Sequence, residues 1–90
     1  MKRSRGDVMD KEQGIKRLST LNVGDRGIVA NLVGKGAIIK RLVEMGLVRG
    51  EEVKVRDKSP LGDPIEVEVK GYRLSLRKDE ADHVFVEVVD

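Results

Sequence analysis

Apolar and charged residues alternate through the second half of this 90-residue chain. In residues 65–70 (IEVEVK), Ile65, Val67 and Val69 fall on one face of an extended strand, and charged residues occupy the other face. The same alternation recurs at residues 51–58, 72–76 and 83–89. A period of two is typical of antiparallel strands that bury one face and expose the other. The pattern therefore predicts a mainly β domain with four short antiparallel strands in this half.

The first half supplies one further strand and a helix. Residues 26–33 (RGIVANLV) predict a strand, and Gly34-Lys35-Gly36 ends it. Residues 37–45 (AIIKRLVEM) place apolar side chains at helical spacing, and Gly46 stands where a glycine commonly follows a helix C-terminus. For so short a chain, a small, partly open antiparallel barrel with one short helix after the first strand buries one face economically and leaves few edges.

The charge is unevenly distributed along the chain. Residues 1–18 contain six Lys/Arg and three Asp/Glu, a net charge of +3, whereas residues 19–90 contain twelve and thirteen, a net charge of −1. Residues 1–17 lack periodicity and are predicted to form a flexible basic extension, and residues 18–90 to form the domain. A near-neutral domain with only two aromatic residues is a poor candidate for binding nucleic acid. Binding of phosphates through the charge of the extension alone stays an alternative.

The cellular location follows from what the sequence contains. There is no cysteine, and no apolar run approaches the roughly 20 residues that a membrane span needs. Residues 1–14 (MKRSRGDVMDKEQG) lack the apolar stretch of a secretion signal. We therefore expect a cytoplasmic protein that does not insert into the membrane.

Catalytic and nucleotide-binding patterns are weak in this sequence. Gly34-Lys35-Gly36 precedes a helix, but a P-loop needs four residues between its glycines and a Ser or Thr after the lysine. Glu66 and Glu68 share one strand face, which is typical of a solvated surface and not of an acid–base pair in a cleft. The sequence therefore predicts no enzyme, no catalytic residue and no bound cofactor.

The one candidate metal ligand of the nitrogen type is His83. Three carboxylates lie close to it in sequence, those of Asp79, Glu80 and Asp82. A ferrous site usually has two histidines and a carboxylate, so this group would form at best a weak site. No metal site is predicted, although ferrous or transition-metal sensing through His83 stays the alternative function.

Several apolar residues are candidates for contact with a protein partner. Helix residues 37–45 carry apolar side chains on more than one side, and Met45 and Leu47 lie at its end. Leu61 lies in a predicted loop between two prolines. Apolar residues left exposed on a small domain often mark an interface.

Four segments carry patterns that point to a known family when taken in order. They are residues 18–25 (LSTLNVGD), 40–50 (KRLVEMGLVRG), 59–65 (SPLGDPI) and 71–81 (GYRLSLRKDEA). Together they resemble the ferrous iron transport protein A (FeoA) family over residues 18–88, with Lys40 where arginine is usual. Residues 1–17 fall outside the resemblance.

The resemblance implies an SH3-like barrel and a cytosolic accessory role in ferrous iron uptake. The implied partner is the ferrous iron permease FeoB, a membrane protein with a GTP-binding domain, whose transport or GTPase activity the accessory protein would modulate by docking. The charged motif residues join the apolar ones in one candidate partner-binding set, namely Arg41, Met45, Leu47, Leu61 and Asp63. Whether the protein also forms a homo-oligomer through open strand edges is left open.

Overall fold

The alternating segments form one antiparallel sheet in the computed structural model, which describes residues 14–89. The strands are β1 (Ile15–Arg17), β2 (Arg26–Leu32), β3 (Glu52–Lys58), β4 (Ile65–Val69), β5 (Tyr72–Leu76) and β6 (Val84–Val89), and the helices are α1 (Gly36–Glu44) and α2 (Lys78–Ala81). A 3₁₀ turn, Leu18–Thr20, connects β1 to the segment before β2. The six strands lie in the order β1-β6-β2-β3-β4-β5, and the sheet is open between β1 and β5. The predicted mainly β architecture, with a short helix after strand 26–32, is confirmed.

The beginning of the sheet differs from the prediction. Residues 15–17 were expected to belong to the extension, but β1 pairs with β6 through Ile15↔Glu87, Lys16↔Val86 and Arg17↔Phe85. The three β1 side chains are exposed, so the strand has no alternation to reveal it. Backbone pairing and the Arg17 guanidinium, 5.3 Å from the centroid of the Phe85 ring, hold it instead. The rest of the predicted extension, residues 1–13, lies outside the described residues.

The core lies on the inner face of the sheet, where the alternating residues converge under α1. Strands β3, β4 and β6 contribute Val53, Val55, Ile65, Val67, Val69, Val84 and Val86, and other segments contribute Leu18, Leu21, Val29, Leu42, Leu47, Leu76 and Ala81. Each fully buried Leu, Ile or Val of this kind contributes about 1.5–3 kcal/mol. The inward positions that the alternation predicted for β3 and β4 are confirmed.

The outer face of the sheet carries ion pairs. Arg73 Nη2 lies 2.9 Å from Glu66 Oε1, and Arg56 Nε lies 3.5 Å from Glu68 Oε1. Such exposed pairs contribute at most about 1 kcal/mol each. Glu66 and Glu68 are thus paired with cations on an open surface, as the strand pattern indicated. Neither of the described helices is long and apolar enough to cross a bilayer.

Gly27, on β2, packs directly against β6. A Cβ atom built on this buried glycine would lie 2.8 Å from Val86 Cγ2 and 3.2 Å from the Glu87 carbonyl oxygen. The backbone and the core side chain leave no room for a methyl group. We therefore expect Gly27→Ala to lower the free energy of unfolding by about 1–3 kcal/mol, as measured by urea denaturation.

Gly36→Ala is the matched control for this substitution. No heavy atom lies within 4 Å of a Cβ built on Gly36, and alanine favours the first turn of α1. The control should leave stability unchanged or raise it slightly. A Gly27→Ala protein as stable as the wild type would contradict the close approach of β2 to β6.

Candidate functional site

Glu80 joins α2 to α1. Its Oε1 atom accepts a hydrogen bond from the backbone N–H of Arg77 at 2.9 Å, which caps the start of α2. Its Oε2 atom lies 2.9 Å from Nε of Arg41, on α1. Glu80 is only 7% exposed, whereas the side chain of Arg41 is 62% exposed. Each carboxylate oxygen of Glu80 thus has a hydrogen-bond donor, and the contact with Oε2 holds Arg41 at the surface.

The loop of residues 59–64 is fastened to the start of α2. Asp63 Oδ1 accepts a hydrogen bond from the backbone N–H of Lys78 at 3.0 Å. Within the loop, Ser59 Oγ donates to the Asp63 carbonyl oxygen at 2.6 Å, and the Gly62 N–H donates to the Ser59 carbonyl oxygen at 2.8 Å. The Asp63–Pro64 peptide is cis. These contacts close the loop into a compact unit that leaves Leu61 at its tip, 91% exposed.

Asp82 connects the end of α2 to the 3₁₀ turn. The hydroxyl of Ser19, which is 6% exposed, donates a hydrogen bond to Asp82 Oδ1, and Lys78 Nζ lies 3.6 Å from Oδ2. The hydrogen bond from Ser19 and then the positive charge of Lys78 outweigh desolvation and hold the pKa of Asp82 below its ordinary value of 3.8. Asp82 is therefore a structural carboxylate that stays ionised at neutral pH.

His83 holds the connection between β2 and α1. Its Nδ1 atom lies 2.6 Å from the Val33 carbonyl oxygen, and the Val33 N–H donates to the His83 carbonyl oxygen at 3.0 Å. Gly34 passes so close that a Cβ there would lie 2.6 Å from Nδ1 of His83. Residues 78–83, which we call the α2 turn, thus contact α1, the 59–64 loop, the 3₁₀ turn and the β2–α1 connection.

The candidate metal ligands are not brought together by this arrangement. Within residues 14–89, no three His, Asp or Glu side chains lie close enough to hold a metal ion. The carboxylates of Glu80 and Asp82 face Arg41 and Ser19 instead of the ring of His83.

A shallow groove of about 550 Å³ lies beside the α2 turn. Its apolar lining comes from Val33, which is 51% exposed, and from Phe85. Arg17 and Lys78 place positive charge along it.

The five predicted partner-binding residues have different positions in the structure. Arg41 and Asp63 both reach the α2 turn, and Leu61 is exposed beside it. Met45 is half-buried and packs against the core. The prediction for Leu47 is wrong in one respect, because Leu47 is 0% exposed and offers no surface to a partner.

The local structure after α1 explains the burial of Leu47. Gly46 has a φ of +97°, its N–H donates to the Val43 carbonyl oxygen, and the Leu47 N–H donates to the Leu42 carbonyl oxygen. This is a Schellman motif, in which the residue after the glycine folds back against the last helical turn. A glycine at the helix end followed by an apolar residue is the sequence signal from which the burial of Leu47 could have been predicted.

Comparison with known proteins gives a consistent result. A family model described as "FeoA domain" matches residues 16–88. The chain is 37% identical over 73 residues to the Fe(2+) transport protein A/Fe(2+) transporter FeoB fusion protein of Porphyromonas gingivalis (strain ATCC BAA-308 / W83). The matched residues make up 81% of this chain but only 9% of the fusion protein.

Two solved structures extend the comparison to the fold. The FeoA protein from Chlorobium tepidum is 41% identical, with 83% of this chain and 71% of that chain covered and a TM-score of 0.76. The zinc complex of Stenotrophomonas maltophilia FeoA, described as a prokaryotic SH3 domain protein, is 40% identical, with 77% and 86% covered and a TM-score of 0.64. The predicted SH3-like fold is confirmed by this likeness.

Removal of Arg41 tests how far the contact with Glu80 supports the fold. Arg41→Ala leaves a nearly buried carboxylate without its cation, and we expect the free energy of unfolding to fall by about 1–2 kcal/mol. A double-mutant cycle with Glu80→Ala, measured by urea denaturation, should give a coupling energy of about 1 kcal/mol. Arg73→Ala, which breaks an exposed pair of equal length, is the matched control and should cost less. Equal losses in the two variants would contradict a structural role for Arg41.

The pKa of Asp82 predicts how stability depends on pH. Because the pKa is lower in the folded than in the unfolded protein, its stabilising contribution is complete above pH 3.8 and is lost as the pH falls through the lower folded value. Wild-type protein should therefore exceed Asp82→Asn in unfolding free energy at neutral pH, and the difference should shrink below pH 3.8. Ser19→Ala, which removes the principal cause, should reduce the same difference. A gap between wild type and Asp82→Asn that persists in acid would contradict this role of the carboxylate.

Proposed function

The chain belongs to the FeoA family, and on this premise we propose that it is an accessory protein of ferrous iron uptake. It docks on the cytosolic part of a FeoB-type permease and modulates either transport or the GTPase activity of that partner. The chain contributes no catalytic step of its own, because hydrolysis of GTP belongs to the permease. Docking places it in the cytoplasm, on the side of the membrane where the GTP-binding domain lies.

The domain organisation of a relative supports this choice of partner. In the Porphyromonas gingivalis protein, a segment that is 37% identical to this chain is part of one polypeptide with a Fe(2+) transporter. Covalent linkage keeps two domains at a high effective concentration, which suits domains that contact each other. The Stenotrophomonas maltophilia FeoA is described as a candidate activating factor of ferrous iron transport, which favours modulation over a passive role.

The exposure of Leu61 is the single observation that supports the proposed docking surface. A leucine that is 91% exposed makes almost no packing contact within its own domain. The loop that carries it is closed by Ser59 and fastened to α2 through Asp63. An apolar side chain on a preorganised loop loses little conformational entropy when a partner covers it, so it is suited to act as an anchor. Arg41 is exposed and also contacts the α2 turn, so we assign it to the polar rim of the same docking surface.

The first test is a binding titration against the purified GTP-binding cytosolic domain of the cognate permease. It is run without nucleotide, with a GDP analogue and with a non-hydrolysable GTP analogue. Saturable binding that differs between the nucleotide states supports control of the GTPase cycle. Absence of binding to this domain, and to the whole permease in detergent, would contradict the proposed docking.

Leu61→Asp tests the anchor directly. Loss of one buried leucine contact should weaken binding by about tenfold or more. The unfolding free energy should change by no more than about 0.5 kcal/mol, because the side chain packs against nothing in the free protein. Tyr72→Asp is the matched control, since Tyr72 is a 73% exposed apolar residue at the opposite end of β4 from the loop. Equal affinity of the Leu61→Asp and wild-type proteins would remove Leu61 from the docking surface.

The metal-sensing alternative is tested by a separate titration with Fe²⁺. Anaerobic calorimetry with Fe²⁺ alone should give no saturable heat if the described residues provide no site. Saturable heat that disappears in His83→Ala would favour the alternative instead.

A further inference from the structure

Strand β5 has an open edge. It is the last strand in the sheet order and pairs only with β4 among the described strands. The pairing is regular from Val69↔Tyr72 to Ile65↔Leu76, without the register shifts that interrupt the β2–β6 and β3–β4 pairs. A two-residue turn fixes this register, because Lys70 and Gly71 have positive φ values of 55° and 82°.

The register determines which backbone groups face outward. In a hairpin closed by a two-residue turn, the residues that flank the turn exchange both backbone hydrogen bonds, and every second pair along the strands does the same. Tyr72, Leu74 and Leu76 therefore direct their N–H and C=O groups toward β4. Arg73 and Ser75 direct theirs to the open edge, where both residues are exposed.

The edge lacks several of the features that usually prevent strand pairing. Protected edges are very short, carry charged side chains, a proline, a bulge or an inward-pointing charge, or are covered by another segment. Residues 72–76 (YRLSL) contain no proline, and the one charged side chain, Arg73, points to the outer face and pairs with Glu66 at 2.9 Å. Tyr72 is 73% exposed, and Leu74 is only partly buried.

We propose that β5 pairs with β5 of a second copy of this chain, antiparallel and about a two-fold axis at Leu74. In this register Arg73 and Ser75 of one copy exchange backbone hydrogen bonds with Ser75 and Arg73 of the other. Leu74 lies opposite Leu74 of the second copy, at the closer spacing of a pair without hydrogen bonds. The two six-stranded sheets then continue into one another.

The side chains are complementary in this register. The exposed Tyr72 of each copy lies opposite the backbone of Leu76 of the other, whose own side chain is buried in the core of its copy. Arg73 of each copy lies opposite Ser75 of the other, so no like charges face each other directly. The other edge of the sheet formed by residues 14–89, that of β1, lacks this property. Antiparallel self-pairing of its three residues would centre on Lys16 and place two lysines opposite each other. The sequence of the two edges therefore favours a dimer through β5.

The contact is small, so the dimer should be weak. One five-residue strand per copy buries less area than a standard stable interface, and weak association is typical of that size. The Leu61 loop, between β3 and β4, is not part of the pairing edge. The inference is therefore independent of the proposed function and can fail without affecting it.

Analytical ultracentrifugation of the full chain up to millimolar concentration tests the proposal. Wild-type protein should show a monomer–dimer equilibrium. Leu74→Lys and Leu74→Glu each place like charges across the two-fold axis and should weaken the dimer by about tenfold or more. Val43→Lys, which introduces the same charge on the exposed side of α1, is the control and should leave the equilibrium unchanged.

An equimolar mixture of the Leu74→Lys and Leu74→Glu proteins distinguishes strand pairing from mere loss of stability. Opposite charges then meet at the axis, so the mixture should regain a dimer that neither variant forms alone. Circular dichroism confirms that both variants are folded. A wild-type protein that stays monomeric at millimolar concentration, a dimer insensitive to both substitutions, or a mixture that stays monomeric would overturn the proposal.

Discussion

The α2 turn is the segment that contacts α1, the 59–64 loop, the 3₁₀ turn and the β2–α1 connection. A helix of four residues has no stability of its own, since helix nucleation is unfavourable and needs many residues to be offset. Here Glu80 and Asp63 bind the backbone N–H groups of Arg77 and Lys78 and fix the start of α2. Asp82 and His83 fix its end against the 3₁₀ turn and the β2–α1 connection. One short segment thereby links α1 and the 59–64 loop to the 3₁₀ turn and the β2–α1 connection, while Leu42 anchors α1 in the core.

The motif residues fall into two groups, those that hold the α2 turn in place and one that is exposed to solvent. Arg41, Asp63 and Glu80 belong to three of the segments that resemble the FeoA family, and all three side chains are engaged in holding the α2 turn. Leu61 lies in the same stretch as Asp63 but is 91% exposed, so its presence has no explanation within the described fold. The scaffold therefore accounts for these three charged residues, and the proposed recognition of a partner rests on the exposed leucine.

The strands that bury side chains could be predicted from the sequence. Strand β1, which buries none, could not be predicted. Residues of β3, β4 and β6 alternate because one face of each strand lies in the core. Strand β1 exposes all three side chains and is held by backbone pairing, so it has no periodic signal. The contact between Ser19 and Asp82 joins residues 63 positions apart, which no local pattern can indicate. The site was therefore predicted as separate residues, and their convergence on the α2 turn came only from the structure.

The most direct test of this account maps the contact on the protein itself. Amide resonances of the isotope-labelled chain are followed while the GTP-binding domain of the cognate permease is added. If the loop that α2 fixes is the docking surface, the largest changes occur in residues 59–64 and 78–83, and the outer face of β3 and β4 is unaffected. Saturable changes confined to that outer face, with residues 59–64 unperturbed, would contradict the claim that the α2 turn positions the partner-binding surface.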